Sequence, residues 1–223
     1  MTADQAYAPT ARTVPTRYRE RARYDRATVH GILDEALICH VGVAGAEGPV
    51  VLPTIHARVG ETLYLHGSTG SAPMLAAAGA PGGLAVCVTA TLVDGLVMAR
   101  SWMHHSMEFR SVVAVGNARL VTDGDEKQRA LAAVVDHVAA GRAADSRPPS
   151  ARELAATAVI ALDLREVSAK VRVGGPVDDD DDLALPHWAG VLPLTLQPGT
   201  PIPADGLDPA IELPAYLTHY RRG

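Results

Sequence analysis

The sequence has few cysteines, no long apolar run and no block of basic residues. Only two cysteines, Cys39 and Cys87, occur in 223 residues, and neither lies in a metal-ligand spacing. Both lie in apolar, strand-like runs, so we expect buried thiols in a reducing compartment. No run reaches the roughly 18 apolar residues that a membrane span requires, and residues 1–15 lack the apolar core of a signal peptide. We therefore expect a cytoplasmic protein.

Several motifs that would assign a chemistry are also missing. Without G-x-G-x-x-G or a Walker loop, the usual dinucleotide and nucleoside triphosphate sites are not expected. Without a G-x-S-x-G elbow, a serine hydrolase is not favoured. No H-x-x-E-H or H-x₃-H spacing occurs, so His40, His56 and His66 would converge only through the fold, and we expect no metal site. The net charge of −5, with dispersed basic residues, argues against a nucleic-acid partner and we expect none.

The composition and length are those of one globular domain with appendages. The chain is 48% hydrophobic and 20% charged, which is close to the average for globular proteins. We expect a flexible arm at residues 1–15 and the domain at residues 16–175. Residues 176–223 are an Asp-rich loop and a Pro-rich extended tail, expected to pack on the barrel or on a partner subunit. Within them, Asp178–Asp182 is interpreted as solvated, because consecutive carboxylates on an extended chain point in alternating directions.

Short apolar segments separated by turn residues predict an antiparallel sheet. The six strand candidates before residue 123 lie at 36–44, 50–59, 62–66, 84–92, 96–101 and 109–122. Asp94 and Gly95 are expected to form a hairpin turn, and Gly116 marks a bulge or a close backbone approach. Strand character returns at 158–164 and 167–173. This pattern favours a mainly β (α+β) fold, a six- to seven-stranded antiparallel barrel with a few peripheral helices.

Helical patterns lie between these strands. Thr28 is the expected N-cap of a first helix, and Ser150 with Glu153 has the spacing of a capping box. The longest helix is predicted within 123–140, with Leu131 and Val134 among the apolar residues of one face.

The stretch LYLHGSTGSAPM, residues 63–74, ends a strand and begins a helix. Gly67 and Gly70 permit tight turns, and Ser68 and Ser71 place hydroxyls beside them. Backbone N–H groups at such a helix start favour an anion such as phosphate. An ordinary turn capped by Ser71 explains the same residues. Both interpretations stand on this stretch alone.

A second polar stretch, RSWMHHSMEFRS at residues 100–111, is expected at the barrel rim. Arginine suits phosphate because its planar donors make paired charge-assisted bonds. His104 and His105 cannot both face one ligand on an extended segment, and either is also explained as a solvent-facing rim residue. Five arginines between residues 17 and 26, interleaved with acids, suit a solvated leader or a lid over an anionic ligand.

Six segments, taken together, resemble a known family. They are YDRATVHGILDEA, VVLPTIHAR, LYLHGS, VDGLVMARSWMHHSMEFRSVVAVGNARLV, SAKVRVGGPVDDDDD and WAGVLPL. Their order and spacing across residues 21–194 resemble the pyridoxamine 5′-phosphate oxidase-like flavin-binding proteins, in particular the nitroimidazole-resistance-type subgroup. The resemblance implies a split β-barrel homodimer that binds FMN at the subunit interface.

The resemblance also implies roles for individual residues. The isoalloxazine would be lined by Pro53, Thr54 and Ile55, and the ribityl phosphate by His66, Gly67, Ser68 and Ser71. The flavin would be approached from the rim by Arg110 and Ser111, while Lys170 and Arg172 would add charge or pack in the closing strand. Trp188 would cover part of the ring or the docking site of the tail.

The chain departs from the subgroup at two places. Ala72 and Pro73 stand where an arginine or lysine usually follows the serine matched by Ser71, and Glu108 and Phe109 replace an Asn-Tyr pair. Loss of a charge-assisted bond to phosphate costs about 1.5–3 kcal/mol, so we expect weak FMN binding or another cofactor. The Arg-rich C-terminal segment that holds substrate in true pyridoxamine phosphate oxidases is not recognisable, so vitamin B6 oxidation is not expected.

The leading hypothesis is an FMN-dependent oxidoreductase. It would pass a hydride or electrons from a reduced nicotinamide or another donor to a small aromatic or nitro-bearing molecule, with His66 and His104 as candidate catalytic residues. One alternative is a non-catalytic protein that binds or senses a flavin, and deazaflavin is an alternative cofactor. The other is a haem-binding split-barrel protein with a histidine as axial ligand.

Overall fold

The predicted mainly β, antiparallel class is confirmed. The computed structural model describes residues 6–45 and 48–221, which form ten strands, all paired antiparallel, and five α-helices. Seven of these strands have seven or more residues, and the other three have two to four. Residues 1–5 of the expected arm, 46–47 of a predicted turn and 222–223 of the tail lie outside the described residues.

The strands are β1 (Ala22–Arg23), β2 (Cys39–Gly45), β3 (Gly48–Thr54), β4 (His56–Val59), β5 (Thr62–Ser68), β6 (Leu84–Met98), β7 (Ser106–Leu120), β8 (Thr157–Asp163), β9 (Glu166–Arg172) and β10 (Gly190–Pro193). The helices are α1 (Arg26–Glu35), α2 (Ala72–Ala78), α3 (Gly124–Val138), α4 (Ala151–Ala156) and α5 (Ala215–Thr218). The sheet order is β3-β2-β6-β7-β8-β5-β4, with β9 joining β7 and β1, and β10 joining β6.

A single residue connects the two edges of this sheet. β3 lies at one edge and β4 at the other, and only Ile55 separates them along the chain. The sheet therefore curls until its edges meet at Ile55, although within the described ranges no ladder joins β3 to β4. We call this junction, residues 53–56, the seam. It makes the barrel an open, split one.

The predicted hairpin at Asp94 is wrong. β6 continues through residues 84–98 and pairs with β7 along its length, with a register shift between Val93 and Gly95. Asp94 binds Arg110 across the ladder, so its side chain stabilises the long strand. Gly95 lets β10 approach closely, because a Cβ there would lie 3.1 Å from Val191 Cγ1. The close approach expected at Gly116 is present, since a Cβ there would lie 2.9 Å from a Leu162 methyl group.

The barrel interior is one apolar core, and helix α3 covers part of the outside. Leu63 and Leu65 of β5 belong to the interior core, so alternation along the strand turns Tyr64 and His66 to the other face. Tyr64 packs there on a smaller core that includes Val159 of β8 and Ala130 of α3. β5 thus presents its polar residues to α3.

Both chain termini lie against this domain where they are described. Tyr7 is 4% exposed, and its hydroxyl donates to Glu61 at 2.7 Å. The tail is anchored at β10 and again near α5, where the Tyr220 hydroxyl donates to the Val138 carbonyl at 2.9 Å. Between these anchors the tail is exposed, as at Ile202. In the described ranges no helix has the length and hydropathy of a membrane span.

Candidate functional site

The seam brings together two segments implied to bind flavin. Pro53 and Thr54 end β3, and His56 pairs with Leu65 in the β4–β5 ladder. The next residues along these strands, Ile55 and His66, are therefore neighbours. Sequence order separates the two segments, but the register of the β4–β5 ladder places Ile55 beside His66 at the end of β5.

The loop after β5 is held mainly by its own hydrogen bonds. The backbone N–H and the hydroxyl of Ser71 both donate to the Ser68 carbonyl at 2.9 Å. The Gly70 N–H donates to the Ser68 hydroxyl at 3.3 Å, and the Thr69 N–H donates to the Ala156 carbonyl at 3.0 Å. Ser71 occupies the N-cap position of α2, as expected, but its side chain does not cap the helix. The Ser68 hydroxyl, which accepts the Gly70 N–H, and the backbone N–H groups at the start of α2 therefore remain as donors for an anion.

Ser111 and Lys170 form a second group on the outside of the barrel. They pair across β7 and β9, and the Ser111 hydroxyl donates to the Lys170 carbonyl at 3.4 Å. The Lys170 ammonium lies 5.9 Å from the centre of the Tyr18 ring. Arg172 is 7% exposed and donates to the carbonyls of Gly174 and Gly175 at 2.7 and 3.0 Å. Its guanidinium thus supports the loop after β9.

Arg110 faces away from Ser111, because successive residues of a strand point to opposite faces. Its guanidinium binds Asp94 through two bonds of 2.9 and 2.8 Å and also binds both carboxylate oxygens of Glu35. The hydrogen bonds that Arg110 donates to Asp94 and Glu35 raise the Arg110 pKa further above its ordinary value. The structure thus commits this cation to two carboxylates, and its role at a flavin stays a prediction.

The rim stretch is tied to the Asp-rich loop. His104 contacts the Val177 carbonyl through Nδ1 and lies 3.4 Å from an Asp179 oxygen through Nε2. Asp178 accepts the backbone N–H and the guanidinium of Arg100 at 2.8 and 2.7 Å. Its side chain is only 1% exposed, so Asp178 departs from the solvated run expected there. Arg100 and its neighbours lower the Asp178 pKa below its usual range, with the backbone hydrogen bond as the largest cause.

Trp188 lies beyond this loop and is 69% exposed. Its ring lies over Gly190, where a Cβ would come within 2.9 Å of the ring carbons. A covering role over a flavin remains a prediction. Among the described residues, no cluster of His, Cys, Asp and Glu has the arrangement of a metal site.

His66 lines a cleft that the sequence did not indicate. The cleft measures about 600 Å³ and lies between α3, the segment 143–149 and the end of β5. Among the described residues, His66 Nδ1 is enclosed without a hydrogen-bond partner, and burial lowers the His66 pKa. The His66 backbone lies beside the seam, while its side chain lines this cleft. The apolar face of α3 was predictable, but the approach of segment 143–149 to it was not.

Two other histidines have structural partners. His137 lines a larger cleft of about 1100 Å³ between α1, α3 and α5, and His56 is buried. Their rings are 4.6 Å apart, and their Nε2 atoms bond the Leu33 and Ala36 carbonyls at 2.8 Å. These histidines fix the end of α1 against the rest of the domain.

The open antiparallel barrel and its seam define the split β-barrel class of proteins. The sequence model described as pyridoxamine 5′-phosphate oxidase matches residues 25–171. The chain belongs to this family, as its motifs predicted.

Two solved structures are similar over most of the chain. The flavocytochrome Anf3 from Azotobacter vinelandii is 39% identical with a TM-score of 0.89, covering 97% of this chain and 100% of that chain. The FAD and haem binding protein from Mycobacterium smegmatis is 35% identical with a TM-score of 0.83, covering 89% and 96%.

A candidate 5-nitroimidazole antibiotic resistance protein from Bacteroides thetaiotaomicron shares the fold. It is 24% identical with a TM-score of 0.56, covering 67% of this chain and 86% of that chain. No curated protein matches the sequence.

Proposed function

We propose that this protein binds a flavin at the seam and acts as a redox protein. The observation that carries the proposal is the likeness, across nearly the whole chain, to a flavocytochrome and to an FAD and haem binding protein. The seam supports it by placing Ile55 beside His66, since both belong to segments for which the family resemblance implies flavin contacts. FMN is the expectation from the motifs, and the name of the second relative favours FAD.

The residues present fit the polar end of a flavin. The Ser68 hydroxyl lies before α2, and the Ser71 side chain donates to the Ser68 carbonyl instead of capping that helix. Gly67 lets Met74 of α2 pack closely on the end of β5, because a Cβ there would lie 3.2 Å from the Met74 methyl group. No cation follows Ser71, so this loop would hold phosphate through hydroxyl and backbone donors. A bound flavin would supply hydride and electron transfer, while the protein orients its ring and excludes water.

The proposal includes a homodimer, in which a second copy of the chain contributes residues to the flavin site. β2 and β6 separate Thr54 on β3 from Ser111 on β7, so three strand spacings put these residues about 14 Å apart along the sheet. The outer group, Ser111 and Lys170, would therefore meet a flavin most directly from a partner subunit. The exposed apolar residues Val50 and Val51 of edge strand β3 favour such a contact. Of the two thiols expected to be buried, Cys39 is buried but Cys87 is exposed. Two free thiols still favour a cytoplasmic location.

A charge reversal in the loop tests the flavin site. Gly70 is exposed, and its Cβ position is 3.9 Å from the nearest neighbour, the Ser68 hydroxyl. Gly70→Asp should lower the affinity for added FMN and FAD at least tenfold, because a carboxylate would face the phosphate. Gly199→Asp, in open space on the tail, adds the same charge and should change nothing. Flavin fluorescence quenching measures both.

Three results would overturn parts of this proposal. Wild-type protein that takes up neither FMN, FAD nor a deazaflavin would refute flavin binding, and Gly70→Asp with wild-type affinity would remove the loop from the site. A third result is bound flavin that is reduced neither by nicotinamides nor by reduced deazaflavin under anaerobic conditions. That result would refute the oxidoreductase hypothesis and favour a non-catalytic role. If reduction occurs, His66 and His104 are the first candidates for substitution, and small nitroaromatic molecules are the first acceptors.

Haem binding is the second candidate function. It is favoured by the same two relatives, whose names include haem or cytochrome, and by a histidine that opens on a cleft. A Soret band in purified or haem-supplemented protein would support it, and no spectral change on adding haem would refute it.

A further inference from the structure

The cleft at His66 has the walls that a flat, largely apolar cofactor requires. One wall is the face of α3 that carries Leu131, Val134 and Val135, and the opposite wall includes Pro148 and Pro149. Its volume of about 600 Å³ lies within the range of sites for small molecules and cofactors, about 300–1,000 Å³. A mostly apolar slot with a few polar groups is typical of such sites.

The polar groups of the cleft include a histidine and two arginines, beside Gln128, Ser146, Glu153 and Thr157. The His66 imidazole makes no hydrogen bond with any described residue, and its Nδ1 is enclosed, which leaves Nε2 as the available ligand atom. Arg129 also lines the cleft and forms no ion pair with a described residue. Arg147 is held by Glu153 through bonds of 3.0 and 2.8 Å, while its side chain remains 68% exposed.

This set matches the chemistry of a haem. The iron needs an axial imidazole, the porphyrin needs apolar walls, and the propionates need cations. The larger cleft is less suitable for a haem, because its walls carry Asp34, Glu35 and Asp136 beside His137 and His219, and His137 already bonds the Ala36 carbonyl. His66 combines an apolar slot with an uncommitted ring.

We propose that the cleft between α3 and segment 143–149 is the haem site, with His66 as axial ligand and Arg129 as a propionate partner. The proposal rests on the haem part of the proposed function and adds the location and the ligand. It also gives the end of β5 two roles: the loop that begins there would hold the flavin, and the His66 side chain would hold the haem. The two cofactors would then lie on opposite sides of one strand end.

The first test compares histidine variants of the full-length protein. Wild type, His66→Ala and His40→Ala are supplemented with haem, and the Soret band and the rate of haem transfer to a scavenger protein are measured. His66→Ala should release haem at least tenfold faster and shift the Soret band. His40, exposed on β2, is the matched control and should leave both unchanged. His66→Met should retain haem with a different Soret position, because a thioether replaces the imidazole.

The second test probes the propionate partner. Arg129→Glu should accelerate haem release about fivefold, while Arg165→Glu, at a site whose side chain is 86% exposed away from the cleft, should not. Circular dichroism and FMN or FAD affinity show whether each variant is folded. A Soret band unaltered in His66→Ala would overturn the ligand assignment while the haem function stands. Wild type that binds flavin but never haem would refute haem binding, and wild type that binds neither would refute both proposals.

Discussion

Arg110 connects three elements through one guanidinium. It binds Glu35 at the end of α1 and Asp94 in β6, while its own backbone belongs to β7. Its side chain is 31% exposed, so solvent screens these bonds only in part. An arginine of this kind fixes a helix end against the sheet.

We predict that Arg110→Ala lowers the free energy of unfolding by about 1–3 kcal/mol, because it leaves two partly buried carboxylates without their cation. Urea unfolding followed by circular dichroism measures the change. Arg165→Ala is the matched control: its pair with Asp163 is long, 3.5 Å, and its side chain is 86% exposed, so the expected loss is below about 0.5 kcal/mol. Equal losses in both variants would contradict the structural role of Arg110.

The residue types at the candidate site were predictable, but the direction of each side chain was not. Ser68, Ser71 and Gly67 follow from the local strand-to-helix pattern. The commitment of Arg110 to Glu35 depends on residues 75 positions apart, and no local pattern encodes such a contact. For the same reason the cleft in front of His66 could not be predicted from its own strand.

Helix α1 shows how the sequence determines an element boundary. The expected N-cap, Thr28, is wrong, because Asp25 occupies the cap and its carboxylate accepts the Thr28 N–H at 2.8 Å. Hydrogen bonds from Thr28 lower the Asp25 pKa below its ordinary value. By contrast, the capping box of Ser150 and Glu153 is confirmed, with bonds of 3.3 and 2.6 Å.

We predict that Asp25→Ala destabilises the protein by about 1 kcal/mol at pH 7. Since the folded pKa lies below the unfolded value of about 3.9, the ionised carboxylate contributes its stability above that value. This contribution is lost as the pH falls through the folded pKa. The difference between wild type and Asp25→Ala in urea midpoint should therefore shrink below about pH 4. Asp25→Asn, which can still cap, should lose less at pH 7, and a pH-independent difference would contradict the assignment.

The strands show which parts of an element the pattern can determine. Apolar runs predicted most strands and α3, because burial of one or both faces of an element imposes the apolar periodicity of a strand or of a helix on the sequence. The pattern failed at Asp94, because an Asp-Gly pair suits both a hairpin and a bulge. In the structure, β10 pairs with β6 at this point and stabilises the continuous strand over a hairpin. Because β10 is about 95 residues away in sequence, the local pattern could not reveal it.

At the scale of the whole molecule, several large apolar side chains are exposed to solvent and do not pack in the core. Val51 on β3 is 61% exposed, and Leu196 and Ile202 on the tail are 80% and 92% exposed. An edge strand with an apolar face is a template for association. The proposed second subunit would cover such a surface.

We predict that sedimentation equilibrium gives about twice the chain mass of 23.3 kDa. Val51→Asp should weaken this dimer at least tenfold, because it places a carboxylate in the contact. Val177→Asp, 75% exposed near the Asp-rich loop, is the matched control and should not. A wild-type protein that stays monomeric at all concentrations would refute the dimer, and an unaffected Val51→Asp would move the interface away from β3.

The pairing of β5 with β8 also has a consequence for synthesis on the ribosome. Thr62 pairs with Asp163, which is synthesised 101 residues later. The β5 edge of the β4–β5 hairpin therefore stays unpaired until β8 has been made. At about 5–20 residues per second, that delay lasts roughly 5–20 s. During this time the nascent chain exposes Leu63 and Leu65, residues that the finished barrel buries. Chaperone demand should therefore be greatest before β8 leaves the exit tunnel.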